Sequence, residues 1–104
     1  MAWVYILRCA DGSYYVGSTL DMERRLWQHN EGIGAAYTKW RRPVTVAWAA
    51  EYHNVAEAYA LEKKIQNWSR AKREALIEGR FDDLPLLSRG RTGWMKRGEG
   101  GGLD

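Results

Sequence analysis

The chain holds one cysteine, Cys9, in 104 residues, so no disulfide can form within it. A reducing cytoplasm is then the simplest compartment. Long apolar runs are also missing. Met1 to Leu7 comes nearest, and Arg8 ends it at once. That stretch is too short for a signal peptide or a membrane span, so we expect a soluble protein with no membrane partner. There is no internal repeat. Nor is there a large excess of one charge: 16 Lys and Arg stand against 13 Asp and Glu, a net +3. The resulting pI of about 9.2 permits nucleic-acid binding without establishing it.

What the chain does have is aromatic bulk, with six tryptophans and six tyrosines. A body of about 80 residues buries only a small core, and large aromatic side chains offset that. Residues 1–80 carry the folding signals. Residues 81–88 could pack back onto them. Residues 89–104 contain six glycines and four Lys or Arg and too little apolar content to fold, so we expect a flexible basic tail.

Trp3 to Arg8 and Ser13 to Gly17 are β-rich, and Asp11-Gly12 between them marks a hairpin. A two-residue loop would place Tyr5 and Tyr15 on opposite faces. A three-residue loop, with Gly12 left-handed in a bulge and Cys9 paired with Ser13, places them on one face. We favour the longer loop. Asp21 can cap a helix from about Met22 to Glu31, whose Met22, Arg25, Leu26 and His29 share a face. Residues 33–43 form a basic loop. Val44, Val46, Trp48, Ala50 and Tyr52 alternate with small or polar residues, which predicts a third strand with these five on one face. Asn54 and Glu57 resemble a capping box opening a helix to about Trp68, with Ala58, Leu61, Glu62 and Ile65 on one side. Ser69 can cap a last helix, Arg70 to Glu78, ended by Gly79. The expected fold is α/β of the α+β kind: a small three-stranded antiparallel sheet flanked by three helices, in the order β-β-α-β-α-α.

Within that order, Val4-Tyr5-Ile6 and then Tyr15-Val16-Gly17, ten residues on, resemble the paired motifs of the GIY-YIG superfamily. Arg25, ten residues past Tyr15 in Arg24-Arg25-Leu26-Trp27-Gln28-His29, resembles that family's helix arginine with its following histidine. Glu62 in Leu61-Glu62-Lys63-Lys64-Ile65 resembles its metal-binding glutamate. The run Thr38 to Pro43 and the segment Glu62 to Ile77 are similar to the small stand-alone bacterial proteins of the YhbQ type. The likeness covers about residues 2–80. It departs from the pattern at Trp3 and Val4, where the first motif has Gly and Ile. Ser18 stands where some members have a lysine, and Glu74 falls where many nucleases of the family have an asparagine.

The resemblance implies a divalent-metal-dependent endonuclease that hydrolyses phosphodiester bonds, with DNA a better candidate than RNA and repair or processing as its setting. One divalent cation, Mg²⁺ or Mn²⁺, would sit on Glu62 with waters filling most other positions. Arg25 would hold non-bridging phosphate oxygens through its planar fork. Tyr15 is the candidate general base or proton relay, although a free phenol near pKa 10 needs help at neutral pH. Tyr5 would position the water shell or the phosphate, and His29 could take or pass a proton. Lys39, Arg41, Arg42, Arg70, Lys72 and Arg73 are candidates for phosphate contacts, and Trp40 for stacking on a base.

Taken singly, these residues have ordinary explanations. Paired tyrosines on neighbouring strands are commonly core, and Arg25, His29 and Glu62 could each be structural or solvated. Five matches in order, each on the right element, favour the functional reading. Two others remain open. One is a nucleic-acid-binding module without turnover, motivated by Ser18 and the missing asparagine. The other is a protein-interaction module beside a larger repair enzyme. A monomer is expected.

Overall fold

The computed structural model describes residues 1–80, and the expectations for residues 81–88 and 89–104 lie outside the described residues. Three strands, β1 (Ala2–Arg8), β2 (Tyr14–Thr19) and β3 (Thr45–Tyr52), form one antiparallel sheet in the order β2-β1-β3. Helices α1 (Met22–Asn30) and α2 (Ala36–Lys39) follow β2, and α3 (Val55–Gln66) and α4 (Arg70–Ile77) follow β3. This is the expected β-β-α-β-α-α order, with one helical turn, α2, added inside the segment expected to be loop throughout.

The hairpin takes the longer loop. The Cys9 N–H donates to the Ser13 carbonyl at 2.8 Å, and Gly12 lies at φ +85°. Leu7 then faces Tyr15 and Tyr5 faces Gly17, so the two tyrosines share a face. That parity follows from Gly12, because only a residue without Cβ occupies the left-handed region at little cost.

The helices start where side chains satisfy their open N–H groups. Asp21 accepts from Arg24, Asn54 from Glu57 and Ser69 from Lys72. Each helix then turns its apolar residues to the sheet. On one face Val4, Ile6, Val16, Trp48, Ala50 and Tyr52 pack against Ala58, Leu61 and Ile65 of α3 and Ala75 and Leu76 of α4. On the other, Tyr5, Leu7, Val44 and Ala49 pack with Met22, while Leu26 of α1 lies against them half-buried.

Strand β3 does not keep one apolar face. Ile6 pairs with Trp48 but Leu7 pairs with Val46, leaving Ala47 as an extra residue. The bulge reverses the alternation at that point, as one inserted residue must. Val44 and Val46 therefore belong with α1, and Trp48, Ala50 and Tyr52 with α3 and α4. The sequence pattern had placed all five together. At its entry β3 is held by Asn30, whose side chain accepts from the Val44 N–H at 2.8 Å and donates to the Val44 carbonyl at 3.1 Å.

Replacing Gly12 tests how strongly the loop holds the register. Nothing lies within 4 Å of an added Cβ there, so Gly12→Ala carries backbone strain alone. We expect a loss of about 1–2 kcal/mol in urea unfolding, with the m-value unchanged.

Candidate active site at the β2 edge of the sheet

Tyr5 rises from the central strand on the α1 face and lies across Gly17 of the edge strand β2. A Cβ on Gly17 would stand 2.5 Å from the Tyr5 hydroxyl oxygen and 2.7 Å from its Cζ. The glycine thus opens the path by which the phenol reaches the edge. Tyr15 lies on the same face with its ring 6.5 Å from that of Tyr5. His29, from the last turn of α1, sits against both, 6.0 Å from the Tyr5 ring and 5.2 Å from the Tyr15 ring. Tyr37 of α2 stacks on the outer side of Tyr15 at 5.9 Å.

Hydrogen bonds tie this group together. The Tyr5 hydroxyl and His29 Nε2 are 3.1 Å apart, and Arg25 Nε donates to the same hydroxyl at 3.4 Å. Arg25 Nη1 is steadied by Gln28 Oε1 at 3.0 Å. On the far side of the imidazole, Nδ1 lies 2.7 Å from Thr38 Oγ1.

Burial governs the protonation of these groups. Tyr5 is about 1% exposed, and desolvation pushes its phenol up to about 12. The Arg25 hydrogen bond and charge pull the other way, while Tyr15 and Glu62 add to the rise. His29 is fully buried. Desolvation first, and the Arg25 charge second, bring it down to about 4. The imidazole is therefore neutral near pH 7 and does not titrate there. The sequence had suggested a proton carrier near neutrality; the packing makes it a fixed hydrogen-bonding group instead.

Glu62 comes from α3, on the opposite face of the sheet, and meets the group at the β2 edge. Ser18, next to Gly17, donates its hydroxyl to Glu62 Oε1 at 2.6 Å. Gln66 donates to Oε2 at 2.8 Å and to the Val16 carbonyl at 3.2 Å. Lys63 Nζ lies 3.7 Å from Oε2, and the Glu62 side chain is only 12% exposed. Ser18 thus orients the carboxylate, a role that a comparison of motifs treats as a loss. A clamped, hard-oxygen carboxylate fits one Mg²⁺ or Mn²⁺ that keeps most of its waters. Among the described residues no cluster of three or more His, Cys, Asp or Glu side chains offers a cage for the ion. Glu74 does not join Glu62: it pairs with Arg70 at 3.0 Å and accepts from the Tyr14 hydroxyl at 3.4 Å.

The basic candidates divide into two places. Lys39, Trp40, Arg41 and Arg42 lie at and just after α2, beside His29's partner Thr38. Trp40 is 79% exposed with the Lys39 ammonium over its ring, and these two line an open pocket of about 520 Å³ with Asn30, Arg42 and Pro43. Arg41 is bound to Asp11 at 3.1 Å and stacks over Tyr37. Arg42 donates to the Lys39 and Asn30 carbonyls. Arg70, Lys72 and Arg73 belong to α4, across the sheet. Lys72 lies over the Trp68 ring, and Arg73 donates to the Ile65 and Gln66 carbonyls at the end of α3. Sequence spacing overlooked Tyr37, Thr38 and Gln66. Gln66, one turn after Glu62, carried a signal; Tyr37 and Thr38 reach the site only through the tertiary fold.

The chain belongs to the GIY-YIG family: the GIY-YIG catalytic domain matches residues 1–75. Within it, the similar proteins bear the UPF0213 name, the YhbQ-type group. A UPF0213 protein of Halobacterium salinarum is 45% identical over 77 residues, 74% of this chain and 100% of that protein. One from Streptococcus pneumoniae is 40% identical over 93 residues, 89% of this chain and 93% of its own. The solution NMR structure of a Bacillus halodurans UPF0213 protein, 37% identical, covers 85% of this chain and 98% of its own at a TM-score of 0.50.

Two measurements follow from the packing around His29. A Cβ on Gly34 would stand 2.6 Å from His29 Nδ1 and 3.0 Å from its Cα, so Gly34→Ala must displace the imidazole. We expect a loss on the order of 1–3 kcal/mol in chemical unfolding. The pH dependence has a definite sign. An unfolded histidine near 6.5 binds a proton that the folded one refuses until about 4. Stability contributed by His29 is therefore complete above pH 6.5 and falls as pH drops towards 4. An NMR titration should show the His29 ring unprotonated down to pH 5.

Proposed function

We propose that this domain is a divalent-metal-dependent endonuclease that hydrolyses phosphodiester bonds in nucleic acid, DNA in preference to RNA. The observation that carries this reading is the meeting of Tyr5, Tyr15, Arg25 and His29 with the Glu62 carboxylate at one sheet edge. Tyr5 feels the Glu62 charge, so the two halves of the site are electrostatically in touch.

Hydrolysis at phosphorus needs an activated water, a neutralised phosphate and a stabilised leaving oxygen. Arg25 is half-buried and already directed at the site, so its remaining N–H groups can take non-bridging oxygens without reorganising. Tyr15 is half-buried where Tyr5 is enclosed, which makes it the phenol that meets a water and relays its proton. Tyr5 accepts from Arg25 Nε and so holds the guanidinium in register with the site. Glu62 would hold the cation, which when bound supplies positive charge at the phosphate and lowers the pKa of its water. Lys39 and Trp40, exposed and packed on each other, would contact a neighbouring phosphate and base.

A second reading, a binding module without turnover, rests on Ser18 and on Glu74, which is drawn into a pair with Arg70 away from Glu62. Labelled single-stranded, duplex and branched substrates with Mg²⁺ or Mn²⁺ separate the two. We expect cleavage that Glu62→Ala or Arg25→Ala lowers by about a hundredfold or more. Cleavage that survives both changes rejects the site. Salt-sensitive binding with no metal-dependent cleavage selects the binding module.

A further inference from the structure

Thr38 is fully buried, and its hydroxyl touches two groups: the Ala35 carbonyl at 3.0 Å and His29 Nδ1 at 2.7 Å. A hydroxyl has one proton to give. Directed at Ala35, it leaves the oxygen able only to accept from the ring, so Nδ1 carries the imidazole proton. The neutral ring then has a bare lone pair at Nε2. The atom within reach of that lone pair is the Tyr5 hydroxyl oxygen, 3.1 Å away, whose proton must supply the bond. Tyr5 in turn accepts from Arg25 Nε–H.

The chain thus runs one way, from Arg25 to Tyr5 to His29 to Thr38 to the Ala35 carbonyl, with a protein acceptor for every donor. The reverse order, with Nε2–H donating outward, would direct two N–H groups at the Tyr5 oxygen and leave the buried hydroxyl proton seeking a partner at the site opening. Buried polar groups favour the arrangement in which each proton is received. The ring is also sterically fixed, since Gly34 closes over Nδ1 with no room for a side chain.

We propose that Thr38 is a positioning residue of this site: it fixes His29 as the Nδ1–H tautomer and thereby commits the Tyr5 proton to Nε2. Tyr5 then presents lone pairs towards Arg25 and the sheet edge and has no proton to offer a leaving group. The consequence for catalysis rests on the nuclease reading; the tautomer itself does not.

Long-range proton–nitrogen NMR of the full chain at neutral pH tests this directly. We expect Nδ1–H in the native protein and in Thr38→Ser, and a shift of population towards Nε2–H in Thr38→Val. An Nε2–H ring in the native protein overturns the proposal with no variant needed. A Thr38→Val spectrum that keeps the native tautomer overturns the role of Thr38. On whichever nucleic acid is cleaved, Thr38→Val should lower kcat about tenfold with KM unchanged, and Thr38→Ser should restore it. An unaffected kcat removes the positioning role and leaves the nuclease reading standing. Absence of all cleavage removes that reading and leaves the tautomer measurement to decide on Thr38.

Discussion

A side chain on a strand can face only two ways, and the register of β1 against β2 decides which for every residue of the site. With Cys9 paired to Ser13, Tyr5 and Tyr15 look towards α1 and Ser18 looks towards α3. One residue more or less in the loop would turn the whole of β2 over. Tyr15 would then leave the histidine, and Ser18 would leave the glutamate. The chemistry of both sheet faces is thus tied to the backbone of one short turn. The edge strand lets the two faces communicate: Tyr5 crosses it above Gly17, and Glu62 reaches it from below at Ser18.

Local order explains which parts of this were legible beforehand. Asp21, Asn54 and Ser69 act within one turn of their own position, so their caps can be read from neighbouring residues. The Asp11-Gly12 turn is equally local. The faces of β3 were misassigned because a bulge is a relation between two strands. Nothing near Ala47 announces that Ile6 and Leu7 skip a residue across the ladder. The turn of helix at Ala36–Lys39 was missed for a similar reason. Four residues cannot hold a helix by propensity. This one is held because Thr38 is buried against His29.

The site residues divide along the same line. Tyr5, Tyr15, Arg25, His29 and Glu62 sit at spacings that motif comparison can find, and the fold brings them to one edge. The groups that orient them are of another kind. Thr38 holds His29, Gln66 and Ser18 hold Glu62, and Gln28 holds Arg25. Their types are unremarkable and their importance lies in what they touch. Glu74 shows the converse: by count along the chain it stands where many nucleases of the family have an asparagine, and geometry gives it to Arg70.

Burial also divides the labour among the ionisable groups. Desolvation raises Tyr5 and lowers His29, which drives an acid and a base alike to their neutral forms. Neither can then carry charge to a substrate at neutral pH. Formal charge at the site resides in Arg25 and in Glu62 with its neighbour Lys63, the guanidinium and the carboxylate on opposite sides of the edge strand and both partly open to solvent. An anionic group arriving between them would meet a guanidinium already oriented through Tyr5 and Gln28, and a carboxylate that repels it until a cation intervenes. On the nuclease reading, affinity for an anion and affinity for a divalent cation would therefore be coupled by electrostatics, each raising the other. On that reading, a lone carboxylate would hold its cation weakly until an accompanying phosphate completed the coordination.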